Sequence, residues 1–362
     1  MRNDRVSQPL SRRHLLAGMG AAAAGMAFLN RAVGDESNPA AQIADRSSTI
    51  RITGMKTYWV GPIVYVKIET NLGVSGWGDL KGVDPQPAQV LARSLFDLID
   101  GENPTRIEHL WQKLYRAHRN MRGGALMVHT IAAIDIALWD LAGKLYGVPV
   151  YRLLGGPTRD RIRVYHTDQA LKVPPHGIYE HSGTPADIER MVKAIAAARE
   201  KVGPTGAVMF DAHCAVPPAT LIQLAAALKP YDVLFIEEPA VPGNIEVFKR
   251  LKQQISIPLA TGERDRTIWE MLPYLQEGCI DVLQPDCCHT GGISQMRKIA
   301  VLAEAYFIPL APHCTATFLG IAASLHVVSS IPFFLIHEFY PQNAGFNVPG
   351  LTKMAFELDA EG

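Results

Sequence analysis

Apolar residues recur along this chain in short blocks that end in acids or histidines. Ala207-Val208-Met209-Phe210 runs into Asp211, Val233-Leu234-Phe235-Ile236 into Glu237, and Ile257-Pro258-Leu259-Ala260 into Thr261-Gly262-Glu263. The three acids are spaced 26 residues apart, with helix-like stretches between the blocks. Continuous apolar runs of this length predict parallel strands buried on both faces. Right-handed crossovers put all their C-terminal ends on one side, so the acids converge. Later blocks end at Asp286, His313 and Glu338, in steps of 23, 27 and 25 residues. With a first strand at 162–165 and a helix at 186–202, a βα period near 25 predicts a TIM-type (β/α) barrel. Its active site belongs at the C-terminal face of the strands.

Upstream the periodicity is different. Residues 50–60 and 63–70 read as strands, with Val64, Val66 and Ile68 alternating against polar partners, and a turn at 71–73 leads into Ser75-Gly76-Trp77-Gly78-Asp79. Helical patterns follow at 87–99, 106–116 and 128–145, the last stopped by Gly147 and Pro149. Strands followed by helices predict a separate α+β domain ahead of the barrel, called the cap below. The expected organisation is a signal and linker at 1–45, the cap at 46–160, the barrel at 161–340 and a short segment at 341–362 returning to the cap.

One stretch breaks the barrel pattern. Between Tyr165 and Ala207 a helix, a strand and a second helix are needed, but only one helix and a Pro/Gly/His-rich loop at 172–184 are legible. The expectation is an α/β barrel missing one βα unit, seven strands where closure takes eight. An open edge of that kind implies lower stability and a wetter site, as in a truncated or degenerate member.

Composition narrows the chemistry. The chain has 362 residues, 48% of them hydrophobic, enough for one large α/β domain and a smaller one. Lys+Arg and Asp+Glu are both 35, so no basic surface points to nucleic acid. Five cysteines, Cys214, Cys279, Cys287, Cys288 and Cys314, are odd in number and lack a framework spacing. A Cys/His zinc site is conceivable, but strand alternation turns most of these thiols outward to packing. Arg12-Arg13 precede an uncharged apolar stretch at 15–29, too short to span a bilayer comfortably. This resembles a twin-arginine export signal, which implies a periplasmic or exported protein without a stable membrane anchor.

Three unpaired carboxylates cannot share a small volume without a cation, so Asp211, Glu237 and Glu263 are read as a hard-metal site for Mg²⁺, with Mn²⁺ an alternative. Blander readings stand beside this one. Asp211 or Asp286 can cap a helix, His213 can be a hydrogen-bonded core residue, and Gly291-Gly292 can be a turn rather than an anion cradle. Glu238 reads as a structural partner, and His337 as facing the helices. Tyr58, Arg119 and Arg122 are cap residues within possible reach of a substrate.

The motifs together resemble the enolase superfamily in its mandelate racemase branch. The resemblance rests on residues 134–144 with 149–156, on Ile236-Glu237-Glu238-Pro239, on Thr261-Gly262-Glu263, and on Gln284-Pro285-Asp286 through Thr290-Gly291-Gly292. It implies that Asp211, Glu237 and Glu263 bind one Mg²⁺, that Asp286 and His313 form a catalytic dyad, and that Glu338 hydrogen-bonds a substrate carboxylate. His213 matches the Asp-x-His of the sugar-acid dehydratases, notably the galactonate and mannonate dehydratases. The implied reaction takes the C2 proton of an aldonate with His313 and protonates the departing C3 hydroxyl with His213, giving a 2-keto-3-deoxy acid. A racemase or epimerase acting on a 2-hydroxy acid at the same site, and a degenerate binding protein, are the rival expectations. The second-strand Lys-x-Lys of the racemases has no legible counterpart. The family's habit also implies a homo-oligomer and a chain that runs further at its C-terminus.

Overall fold

The computed structural model describes residues 49–175 and 183–340. The expected export signal and C-terminal segment fall outside those residues. The cap begins with an antiparallel meander in the order β1 (Ile52–Val60), β2 (Ile63–Thr70), β3 (Ser75–Leu80). Val64, Val66 and Ile68 are buried, as their alternation requires. Three helices follow: α1 (Pro85–Phe96), α2 (Ile107–Ala117) and α3 (Ala125–Tyr146), the last ending at Gly147 in the left-handed conformation. α3 lies directly on β3, and two glycines permit it. A Cβ on Gly76 would stand 1.9 Å from Ala137 O, and one on Gly78 2.0 Å from Ala133 O. Long and apolar as it is, α3 is the core helix of the cap, buried on nearly every side. A short helix α4 (Val150–Leu153) leads out of the cap.

β4 (Val164–Tyr165) and β5 (Ala170–Val173) open the second half. They are followed by α5 (Pro185–Val202), β6 (Ala207–Asp211), α6 (Pro218–Leu228), β7 (Ile236–Glu237), α7 (Ile245–Gln254), β8 (Leu259–Thr261), α8 (Thr267–Gln276), β9 (Val282–Leu283), α9 (Gly292–Ala305), α10 (Phe318–Val328) and β10 (His337–Glu338). β5 to β9 pair in parallel in chain order. Parallel bridges continue from Leu283 to Leu310 and from Leu310 to Phe334, and β10 pairs in parallel with β4. An inner core draws Tyr165, Ala170, Met209, Phe235, Ala260, Val282, Ala311 and Ile336 from eight successive segments. This is an α/β fold with parallel sheets, consistent with a barrel under a cap.

The strand expected to be missing is present. β5 pairs with β6 from Ala170↔Ala207 to Val173↔Phe210. It escaped the apolar-run criterion because it has four residues, a lysine among them, and only Ala170 is fully buried. The element that is short is the connection. Parallel neighbours ordinarily need a crossover of about a dozen residues, whereas residues 166–169 alone join β4 to β5, through a left-handed His166 (φ 67°) and a Thr167↔Ala170 bridge. Among the described residues, no ladder joins β4 to β5.

Candidate active site

Asp211 closes β6, Glu237 closes β7 and Glu263 lies two residues beyond β8, so all three acids stand at C-terminal strand ends. Lys172 from β5 reaches into them, its side chain 6% exposed. Its Nζ lies 3.1 Å from Asp211 Oδ2, 2.7 Å from Glu237 Oε1 and 2.8 Å from Glu338 Oε1. Burial pushes the Glu237 carboxyl well above the usual range, and the charge of Asp211 adds to the push. Burial acts the same way on Asp211, but the Lys172 ammonium and His213 hold it down to about 2. Lys172 itself is kept charged against its burial by Glu237 and Glu338. One ammonium therefore faces a surplus of carboxylates, and Glu237 Oε2 is buried with no hydrogen-bond partner. An all-oxygen donor set with an orphaned buried oxygen fits a hard divalent cation.

The second cluster is built on Asp286. His313 Nδ1 donates to Asp286 Oδ2 at 2.7 Å, and Cys288 N–H donates to Oδ1 at 2.8 Å. His313 Nε2 points back toward the first cluster, 3.5 Å from Glu263 Oε2 and 3.7 Å from Glu338 Oε2. Burial lowers His313, yet Glu263, Glu338 and Asp286 outweigh it and lift the ring to about 9. Glu338 accepts from Cys314 N–H at 2.8 Å, and against its burial Lys172 and His313 hold it well below the usual range.

The expected site residues thus meet in one place, with two refinements. His213, left-handed at φ 46° and 27% exposed, has its Nε2 on Asp211 Oδ2 at 2.9 Å and its Nδ1 without a partner. Burial would lower this ring, but the bond to Asp211 raises it. Lys172 was not legible in the sequence, and the reading that this stretch holds no site lysine is corrected by it. The position two residues on is Pro174, so a Lys-x-Lys pair is absent.

Asp286, His289 and His313 also offer ligand atoms within 4.8 Å of one another. The Lys81 ammonium, 2.9 Å from Asp286 Oδ2, opposes a second cation there. Burial holds His289 far below its usual value, and it stacks on His129 at 4.4 Å.

The remaining candidates resolve into structure. Glu238 is clasped by the Arg264 guanidinium, and His337 Nε2 pairs with Ser324 Oγ of α10 at 2.7 Å, facing the helices. The five cysteines are free, and none joins the group that can hold a metal. A Cβ on Gly292 would stand 2.3 Å from Asp135 Oδ2, so the glycine pair seats the start of α9 against the cap. Arg119 and Arg122 are exposed, and Tyr58 packs on Trp77.

Carboxylates at successive strand ends, facing a His–Asp dyad under an α+β cap, are the arrangement of the enolase superfamily. The chain belongs to that superfamily, in its mandelate racemase/muconate lactonizing enzyme branch: residues 42–155 match the N-terminal domain of that family, and residues 161–356 match the enolase C-terminal domain-like family. A D-galactonate dehydratase of Ralstonia pickettii (strain 12J) is 36% identical over 301 residues, covering 77% of this chain and 78% of the relative. A D-galactonate dehydratase of Xanthomonas oryzae pv. oryzae (strain PXO99A) is 38% identical with the same coverage. Among solved structures, a mandelate racemase/muconate lactonizing enzyme-like protein from Roseovarius sp. TM1035 superposes with a TM-score of 0.76 at 30% identity, covering 80% of this chain and 85% of that one.

Proposed function

We propose that the chain is a Mg²⁺-dependent hydro-lyase that dehydrates an aldonate of the galactonate type to a 2-keto-3-deoxy acid, with Mn²⁺ able to substitute. The observation that carries this is His313, anchored through Nδ1 on Asp286 so that Nε2 faces the carboxylate cluster. A carboxylic acid whose α-proton leaves gains a second negative charge on its carboxylate. Asp211, Glu237 and Glu263 would hold a divalent cation, which when bound would supply the charge that balances it. His313 Nε2 takes the C2 proton, and Asp286 fixes the tautomer that exposes Nε2. Glu263 and Glu338 lift the ring in the structure; with Glu263 holding a cation and Glu338 protonated against the substrate, that lift would fall away and the ring would serve as a base.

Lys172 donates to the substrate carboxylate, and Glu338, paired with that lysine at 2.8 Å in the free site, meets the same carboxylate as its protonated acid, the form in which it can donate. His213, raised by Asp211 and with its Nδ1 unpartnered, delivers the proton to the departing C3 hydroxyl. The short β4–β5 connection leaves these groups together, so it carries no expectation of lost activity.

The test is a panel of aldonic acids incubated with purified protein and Mg²⁺ or EDTA, read as 2-keto-3-deoxy acid. Metal-dependent product from galactonate or a near relative supports the reading. Loss of C2 deuterium without keto acid would replace dehydration by epimerisation, and silence across the panel would leave a binding protein. Export through the twin-arginine-like pair and assembly as a homo-oligomer are proposed with it, to be checked by periplasmic fractionation and by light scattering.

A further inference from the structure

β3 ends at Leu80, and the next residue leaves the cap and enters the barrel mouth. Lys81 Nζ donates to Asp286 Oδ2 at 2.9 Å and to Thr315 Oγ1 at 3.0 Å, with its side chain 5% exposed. The same Oδ2 accepts Nδ1–H of His313 at 2.7 Å, while Oδ1 accepts Cys288 N–H. One carboxylate oxygen is thus shared by an ammonium from the cap and the imidazole of the barrel.

The surrounding residues hold this arrangement in place. Two residues before Lys81, buried Asp79 accepts from Thr317 Oγ1 at 2.7 Å, and the Lys81 carbonyl is met by His129 Nδ1 at 2.9 Å. Gly82, left-handed at φ +74°, lets the backbone pass where a Cβ would stand 2.8 Å from His289 Nε2. Burying an ammonium costs several kcal/mol before its partner repays it, so simple packing would favour an alkyl side chain here. Burial also drives Asp286 toward its neutral form, and charges on His289, Lys81 and His313 oppose that. Burial keeps His289 neutral near pH 7, and His313 has to give up its charge to act as a base, so Lys81 is the charge among them that persists.

We infer that Lys81 is a positioning residue for the His313 base: a cap-borne ammonium that completes a Lys81–Asp286–His313 relay, fixes the Asp286 carboxylate in one orientation and makes the dyad electrically neutral. Through it the barrel's base is assembled only when the cap strand is seated. The kinetic part rests on the proposed dehydratase reading; the relay itself does not.

The test uses the full chain loaded with Mg²⁺. Lys81→Met is expected to lower kcat on the turned-over aldonate about 100-fold, in line with the worth of a general base, while KM stays within about threefold. Lys81→Arg keeps the charge and should retain most of kcat, and ethylammonium should restore part of the activity of Lys81→Ala. Independently of any activity, at a pH above the ring's own titration, the ¹⁵N spectrum of His313 should report a single Nδ1-protonated form in the wild type and a mixture in Lys81→Ala. Unchanged kcat and unchanged His313 signals in Lys81→Met would overturn the inference. So would a loss of melting temperature in every Lys81 variant, Arg included, with no response to ethylammonium. If the wild type turns over no aldonate, the dehydratase reading fails alone, and the ¹⁵N comparison still decides the relay.

Discussion

Lys172 and Lys81 are both nearly solvent-free lysines that pair with carboxylates at strand ends, yet they meet opposite charge balances. Lys172, from the barrel, faces Asp211, Glu237 and Glu338 within 3.1 Å. Lys81, from the cap, faces Asp286 and the neutral Thr315 hydroxyl. The first corner keeps surplus negative charge and an orphaned oxygen on Glu237; in the second the Asp286 carboxylate is balanced by the Lys81 ammonium. The barrel mouth thereby separates a place for a cation from a place for a base, with His313 Nε2 reaching from one toward the other.

Removing the surplus should have the largest effect. Glu237→Gln takes away the orphaned oxygen's charge, and dehydration is expected to fall about 100- to 1,000-fold, the range known for losing a preorganised electrostatic group, together with calorimetric Mg²⁺ binding. His313→Asn, at the balanced corner, should cost a comparable factor in keto-acid formation and leave Mg²⁺ affinity within a few-fold. That split between binding and turnover is what the comparison requires.

Next comes Lys172→Met. Breaking a buried pair by removing one partner costs about 3–5 kcal/mol, so the metal-free protein should melt several degrees lower. Saturating Mg²⁺ should recover much of the loss, because the cation then balances the same carboxylates.

Acid should act through buried histidines rather than through either ammonium. Burial holds His129 and His337 at about 4 in the folded chain, against about 6.5 unfolded. Their contribution is present above pH 6.5 and is lost as the pH falls toward 4, since the unfolded chain binds protons first. Melting curves between pH 7 and pH 4.5 should show that decline. Smallest is Asp135→Ala, which frees Ser294 N and Oγ, now bound at 3.0 and 2.5 Å; a loss of about 1–3 kcal/mol is expected from denaturant melts.

The two lysines also mark the limit of what the sequence discloses. The acids at 211, 237 and 263 were legible because each ends an apolar run at a constant step, and period and chemistry agree. Asp286, His313 and Glu338 followed from the same step. Lys172 did not, because β5 is four residues long with a charged residue among them, and no helix precedes it to keep the period. Lys81 did not, because a lysine just past a cap strand reads as surface charge, and its partner lies 205 residues away. Gly76 and Gly78 carry no signal of their own in the sequence; their role shows only where α3 lies on them. Periodicity exposes what repeats; contacts between cap and barrel are made once, and only the packed chain shows them.

The most direct measurement is a Mn²⁺ or Mg²⁺ titration of the wild type, Glu237→Gln and His289→Ala. The expected result is one cation per chain, lost in Glu237→Gln and retained in His289→Ala. Binding that survives in Glu237→Gln and disappears in His289→Ala would place the cation on Asp286, His289 and His313 instead, and would contradict the division between a corner with surplus charge and a balanced one.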